Sequence, residues 1–331
     1  MDESDLKARA LAWSRYWRSG TRHSCPGSFT DHYGIATQTF WRACFERVAA
    51  GDRVLELGCG NGSLIRWLAQ AGTPQPASYD ATDLAELDET WLGELPVGQR
   101  ECVHLHPRTA ATRLPVGDGT VTQLVSQYAL EYFADEACWS EMSRILAPRA
   151  TLAAVVHHRG SHLCRLAQSE SVDSQWLLAD DGPLDRAAEM LKWLAMSANL
   201  RDRGRRDVDP RAAEARQHFN ATYAVVAERI AAAPFPDLLR DTAERTMRIL
   251  EAVPVSGEHA ARQALDTVRA GLTDNHLRVK ELVDCALDLA GIEVWTQQLR
   301  QMGFTTVEVG EIVEQGYLFG WSLIASRGRT E

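Results

Sequence analysis

Hydrophobic and polar positions change period several times along the chain. From Leu6 to Arg18 the apolar residues recur at helical spacing, with Trp13, Tyr16 and Trp17 making one face heavily aromatic. Ser19-Gly20-Thr21 and Cys25-Pro26-Gly27-Ser28 break that pattern. A second helix is predicted over Tyr33 to Ala49, carrying Ile35, Phe40, Trp41, Cys44, Phe45 and Val48 on its apolar stripe. Short apolar runs then alternate with helical ones. Strands are predicted at Val54–Leu57, Ala77–Thr82, Glu101–His106, Val121–Val125 and Thr151–Val156, with helices at Ser63–Ala71 and Glu136–Leu146. The fifth strand is apolar throughout, as expected of one buried on both faces.

From Ser161 to about Ala290 strand character disappears. Leu184, Ala187, Ala188, Leu191, Leu194 and Ala195 keep a helical stripe, as do Phe219, Tyr223, Val226 and Ile230, and later Val279, Leu282, Val283 and Ala286. Gly182-Pro183, Asp209-Pro210, Pro234-Phe235-Pro236, Pro254 and Gly271 punctuate this region, so five or six helices are expected. Glu293–Gly303 then reads as a helix, and Phe304–Val309 and Tyr317–Ser326 as two closing strands. The expected organisation is an N-terminal helical segment (1–50), an α/β core (51–158), a helical insertion (159–290) and a return to the core (291–331).

The chemistry concentrates where the first strand meets its helix. Val54-Leu55-Glu56-Leu57-Gly58-Cys59-Gly60-Asn61-Gly62 is an apolar strand running into a glycine turn that opens a helix. Such a turn presents backbone N–H groups and a helix N-terminus at the carboxyl edge of the sheet. The spacing is G-x-G-x-G. A dinucleotide fingerprint needs its third glycine where Ser63 stands, so that ligand class does not fit.

With Glu56 two residues ahead of the first glycine, the stretch resembles motif I of class I S-adenosylmethionine (SAM) methyltransferases. The segment Ser126-Gln127-Tyr128-Ala129-Leu130-Glu131-Tyr132-Phe133 after the fourth strand is similar to that of small-molecule members, and Ala81-Thr82-Asp83-Leu84-Ala85 stands where the family has G-x-D-L-S. The resemblance implies a Rossmann-like α/β fold. Its mostly parallel seven-stranded sheet has an antiparallel last strand, with an N-terminal helical lid and a helical cap inserted between strands five and six to cover the substrate pocket.

It also implies SAM as cofactor, with S-adenosylhomocysteine as product, and assigns cofactor contacts to Tyr33, Glu56, Gly58, Cys59, Gly60, Gly62, Asp83, Leu84, Ala111 and Gln127. Glu56 would hold the cofactor's amino group, and the glycines would let the chain pass close to its methionine part. Asp83 would accept hydrogen bonds from both ribose hydroxyls. Asp80 is the rival for that role if the strand ends three residues earlier. His32, beside Tyr33, is a further candidate.

Two departures stand out. Ala110 occupies the place of the family's adenine-side acid, leaving adenine to backbone groups, Thr109, Thr112 or apolar packing. Ala147-Pro148-Arg149-Ala150 replaces a P-G-G turn. An Asn-Pro-Pro-Tyr segment, typical of nucleic-acid amino-methylating enzymes, is absent.

His157-His158-Arg159-Gly160 ends the fifth strand at the same edge, where a histidine can take a proton near neutral pH. The catalytic candidates are therefore His157 and His158, then Glu131 and Tyr128. A histidine that only bonds the loop backbone is the alternative.

Composition narrows the partners. The 331 residues, 45% hydrophobic and 24% charged, suit a globular protein, and the net charge of −10 argues against an extended nucleic-acid footprint. Arg201, Arg203, Arg205 and Arg206 are interrupted by Asp202 and Asp207 and read as a solvated loop. Seven scattered cysteines suggest neither disulfides nor zinc, so no metal is expected. An acidic N-terminus and the lack of a long apolar run give a cytoplasmic, membrane-free expectation. The expected function is methyl transfer to a hydroxyl, amine or carboxyl of a small molecule, with a homodimer allowed. The alternatives are a methyltransferase acting on tRNA, rRNA or protein, and a non-catalytic relative that uses its cap as a binding surface.

Overall fold

The computed structural model describes residues 3–24, 33–198 and 200–328. Two compact units form. One comprises residues 1–165 and 281–331, the other 166–280.

The first unit is built on seven strands: β1 (Arg53–Leu57), β2 (Ser78–Thr82), β3 (Val103–His106), β4 (Val121–Gln127), β5 (Leu146–His157), β6 (Thr306–Glu314) and β7 (Tyr317–Ser326). Their order is β3-β2-β1-β4-β5-β7-β6, with β1 to β5 parallel and β7 antiparallel to both neighbours. This is the expected Rossmann-like, mostly parallel sheet with an antiparallel last strand. The two-residue side-chain period of the strands separates two cores. Val54, Val125, Ala153 and Val155 belong to one, with Trp41, Phe45, Leu64 and Ile65. Leu55, Leu124, Leu152, Ala154 and Val156 belong to the other, with Met142, Ile145 and Leu323.

Around the sheet lie α1 (Glu3–Arg18), α2 (Ile35–Phe45), α3 (Ser63–Gln70), α4 (Val97–Cys102) and α5 (Glu136–Ile145), and α11 (Leu289–Gln301) precedes β6. Between β5 and α11 run α6 (His162–Leu178), α7 (Pro183–Ala195), α8 (Leu200–Val208), α9 (Pro210–Ala232) and α10 (Asp237–Cys285). The second unit has its own core, which includes Leu184, Leu191, Phe219, Leu239, Val253 and Leu265.

Several boundaries differ from the sequence expectation for local reasons. Helix α4 occupies the start of the predicted third strand, shortening β3 to four residues. β5 begins five residues early, because Leu146 pairs with Val121 across a register shift that takes up the Ala147-Pro148 step. Pro254 and Gly271, expected as breaks, lie inside α10, and the interruption falls at Gly257 with φ of 82°. Arg201, Arg203, Arg205 and Arg206 stand in α8 rather than in a loop.

Among the described residues no helix is long and apolar enough to cross a membrane. Leu323 on β7 is completely buried between β5 and β6. Leu323→Ala is expected to cost about 2–5 kcal/mol of unfolding free energy in a urea titration, the range for a buried leucine.

Candidate active site

The turn after β1 is held in place by β2. Gly58 and Cys59 both donate their N–H groups to the Thr82 carbonyl, at 2.9 and 3.0 Å, and Gly60 donates to Asp83 Oδ2 at 2.8 Å. Gly58, Gly60 and Gly62 adopt φ of 72°, 49° and 75°, the left-handed region that glycine enters without steric cost. Space forbids a side chain as well. A Cβ on Gly60 would stand 2.5 Å from the Trp17 ring, and one on Gly62 would stand 2.4 Å from Trp91. Gly58 lines the adjoining cavity, whereas Gly60 and Gly62 are covered by tryptophans and do not.

The cavity, about 260 Å³, lies entirely within the first unit. Glu56, Cys59, Asp83, Leu84, Ala111, Gln127 and Tyr128 line it, together with Thr109, Ala110 and Thr112 at the edge where the adenine-side acid is missing. β2 ends at Thr82, which puts Asp83 on the carboxyl edge; Asp80 lies inside the strand, pairs with His106 Nε2 at 2.9 Å and does not reach the cavity. Asp83 Oδ1 accepts the Ala85 N–H at 2.8 Å. With one N–H on each oxygen, the carboxylate keeps lone pairs for further donors. Burial raises its pKa, and the Ala85 and Gly60 N–H groups oppose that shift.

Glu56 is buried and accepts a hydrogen bond from Tyr79 Oη at 2.6 Å. Desolvation pushes its pKa from the ordinary 4.5 to about 8; the Tyr79 bond works against the rise and the Asp83 charge adds to it. Gln127 is fixed by Trp41, whose indole N–H donates to Oε1. Because an indole nitrogen is a donor only, that contact also settles which end of the amide is the carbonyl.

α1 brings Leu6, Arg9, Trp13 and Trp17 to the cavity wall. It is tied to the glycine turn by Asn61 Nδ2, which donates to the Trp17 and Thr21 carbonyls at 2.9 and 2.8 Å. Arg9 donates from Nε to Glu281 Oε1 at 2.6 Å and from Nη1 to the Tyr132 carbonyl at 3.0 Å. Tyr33 lines the cavity beside Tyr128, with ring centroids 5.4 Å apart. His32 lies outside the described residues. Sequence reasoning missed Arg9, Trp17, Tyr79 and Trp41, because nothing in a helical stripe or a strand of five residues says which neighbour will be a carboxylate or an amide.

Residues 55–154 match the family profile described as "Methyltransferase domain". This stretch of the chain carries the pattern of a methyltransferase domain. The cofactor of that family is SAM. No curated protein sequence matches the chain. Solved structures are similar over part of it. A chain from the Haloferax volcanii complex containing the Trm112 methyltransferase activator aligns at 21% identity over 44% of this chain and 60% of that one, with a TM-score of 0.36. The Streptomyces coelicolor A3(2) geranyl diphosphate C-methyltransferase aligns at 16% over 45% and 65%, with a TM-score of 0.35. A SAM-dependent methyltransferase from Aquifex aeolicus aligns at 15% over 44% and 73%, with a TM-score of 0.32. The first two matches span less than two thirds of the solved chains.

Within the first unit the four catalytic candidates separate. Tyr128 lines the cavity in a left-handed conformation, φ 50°, that is costly for a residue with a Cβ and recurs at functional sites. Its N–H donates to the Val155 carbonyl at 2.7 Å. His157 and Glu131 do not line the cavity. Both are buried behind it, where Glu131 Oε1 accepts the His157 backbone N–H at 2.8 Å and Nδ1–H at 2.5 Å. The His157 ring packs against Tyr128 at 4.5 Å and Tyr132 at 5.9 Å, two residues that form the wall. His158 also stays off the cavity. Its Nδ1 accepts the Gly160 N–H at 2.8 Å, its ring packs on Trp321 at 4.3 Å, and burial lowers its pKa.

Glu56 carries a stability signature. The folded state holds its proton up to about pH 8, whereas the unfolded chain releases it near 4.5. The proton-linked stabilisation is therefore complete below pH 4.5 and lost as pH rises through 8. Glu56→Gln cannot ionise, so thermal melting should show its Tm gaining on the wild type between about pH 5 and 8 and holding that lead above. A constant difference across that window would contradict the buried-carboxyl account.

Proposed function

We propose that this protein transfers the methyl group of SAM to a small-molecule acceptor. The observation that carries this reading is the cavity that joins the Glu56 carboxyl, the Asp83 carboxylate and the aromatic walls of Tyr33 and Tyr128 at the carboxyl edge of the sheet. At about 260 Å³ it lies just below the range of about 300–1,000 Å³ usual for small-molecule sites. The net charge of −10 supports a metabolite over a phosphate-rich polymer.

The residues present fit the cofactor. Glu56 would hold the amino group, Asp83 the ribose hydroxyls, and Leu84 and Ala111 would flank the adenine. Bound SAM supplies a methyl group already activated by a sulfonium. The protein's task is to align the acceptor behind that methyl and to exclude water. Tyr128, whose N–H donates to the Val155 carbonyl and whose hydroxyl donates to the Phe319 carbonyl at 3.4 Å, would meet the acceptor as part of the cavity wall; the Glu131–His157 pair packs behind it. In this reading His157 is a positioning residue, and no general base is required.

Asp83→Ala should weaken SAM binding about tenfold or more in calorimetric titration, the worth of hydrogen bonds to a charged group, while Asp80→Ala should change it by less than about twofold. Equal losses in both variants would reassign the ribose acid. For the acceptor class, radiolabelled SAM should deliver its methyl group into a low-molecular-mass cell extract. Label appearing only in RNA or protein would overturn the small-molecule reading.

A further inference from the structure

The cavity wall contains one buried carboxyl whose orientation is set from the neighbouring strand. Glu56 lies on β1, and Tyr79 on β2, where Val54 pairs with Tyr79 and Glu56 with Ala81. Tyr79 is therefore offset two residues from the partner of Glu56, on the same face of the sheet. The phenol is completely buried and donates to Glu56 Oε2 at 2.6 Å; Tyr79 itself does not line the cavity. We propose that Tyr79 is the positioning residue of the cofactor's amino-group site, holding Glu56 Oε2 so that the carboxylate, once ionised, meets the ammonium of the bound ligand. The inference rests on the SAM reading and adds a residue to it.

The physical argument concerns two states of one carboxyl. An ionised carboxylate without partners is costly in a buried site, and a hydrogen bond from a donor that cannot itself become cationic stabilises the charged form without competing with the ligand's positive charge. Tyr79 is such a donor. A lysine or arginine at its position would hold Glu56 more strongly but would repel the ammonium. A phenylalanine would pack equally well and leave Glu56 Oε2 without this donor.

The other titratable groups facing Glu56 are Asp83 beyond the end of β2 and Cys59 in the glycine turn, with Cys102 facing Tyr79. Asp83 disfavours a second negative charge, and the two thiols are held protonated by burial. Among the groups that face Glu56, Tyr79 alone stabilises its ionised form. Binding of an ammonium then requires the loss of the Glu56 proton, so affinity rises with pH up to about 8.

The test is calorimetric titration of wild type, Tyr79→Phe and Glu56→Gln between pH 6 and 9. Two ligands serve, S-adenosylhomocysteine and 5′-methylthioadenosine, which lacks the amino acid portion. The expected result for Tyr79→Phe is an S-adenosylhomocysteine affinity about tenfold lower at pH 7 and a pH midpoint raised by about one unit or more, with 5′-methylthioadenosine unaffected. Glu56→Gln should bind S-adenosylhomocysteine weakly and lose the pH dependence. An unchanged midpoint in Tyr79→Phe would overturn the proposal, as would an equal loss for both ligands, which marks Tyr79 as a packing residue only. Failure of the wild type to bind either ligand would instead defeat the SAM reading and the inference with it.

Discussion

The Thr82 carbonyl and the Asp83 carboxylate, at the end of β2, together accept three consecutive N–H groups of the glycine turn. This clamp is the constraint on which the site depends. It fixes the turn against its neighbouring strand, sets the left-handed glycines, and so determines where Trp17 and Trp91 can pack. α1 is tied down in turn through Asn61. Without the clamp, the first helix would have no fixed surface to cover and the cavity would lose a wall.

The same arrangement concentrates electrostatic cost. A buried carboxyl, Glu56, and a half-buried one, Asp83, share one cavity wall, and ionising Glu56 there is unfavourable by on the order of 5 kcal/mol relative to water. A protein retains such a cost where the buried group has a cationic partner to meet. The ammonium of SAM is such a partner.

Much of the fold was legible because its signals are local. The alternation of strand and helix, the change to a purely helical pattern after β5 and the closing strand pair all follow from periodicity within short windows. Boundaries were less so: the Leu146–Val121 pairing that starts β5 early is a contact between distant residues, and the interruption of α10 falls at Gly257 rather than at Pro254. At the site, the glycines stood out by their spacing, and Glu56 and Asp83 by the resemblance to methyltransferase motifs. Their partners did not. That Gly60 and Gly62 face tryptophans, that Tyr79 holds Glu56, and that Tyr128 and Tyr132 stand between His157 and the cavity are consequences of packing between elements remote in sequence. The two adjacent histidines show the limit clearly, since position at the carboxyl edge says nothing about which side chain reaches the ligand.

The central claim is that the cavity beside the glycine turn receives SAM through Glu56 and Asp83. A crystal structure grown with S-adenosylhomocysteine tests it most directly. The account predicts ribose hydroxyls within hydrogen-bond distance of Asp83, about 2.7–3.0 Å, and the ligand's amino group on the Glu56 side of the turn. Ligand density elsewhere, or a nucleoside bound with its ribose away from Asp83, would contradict it.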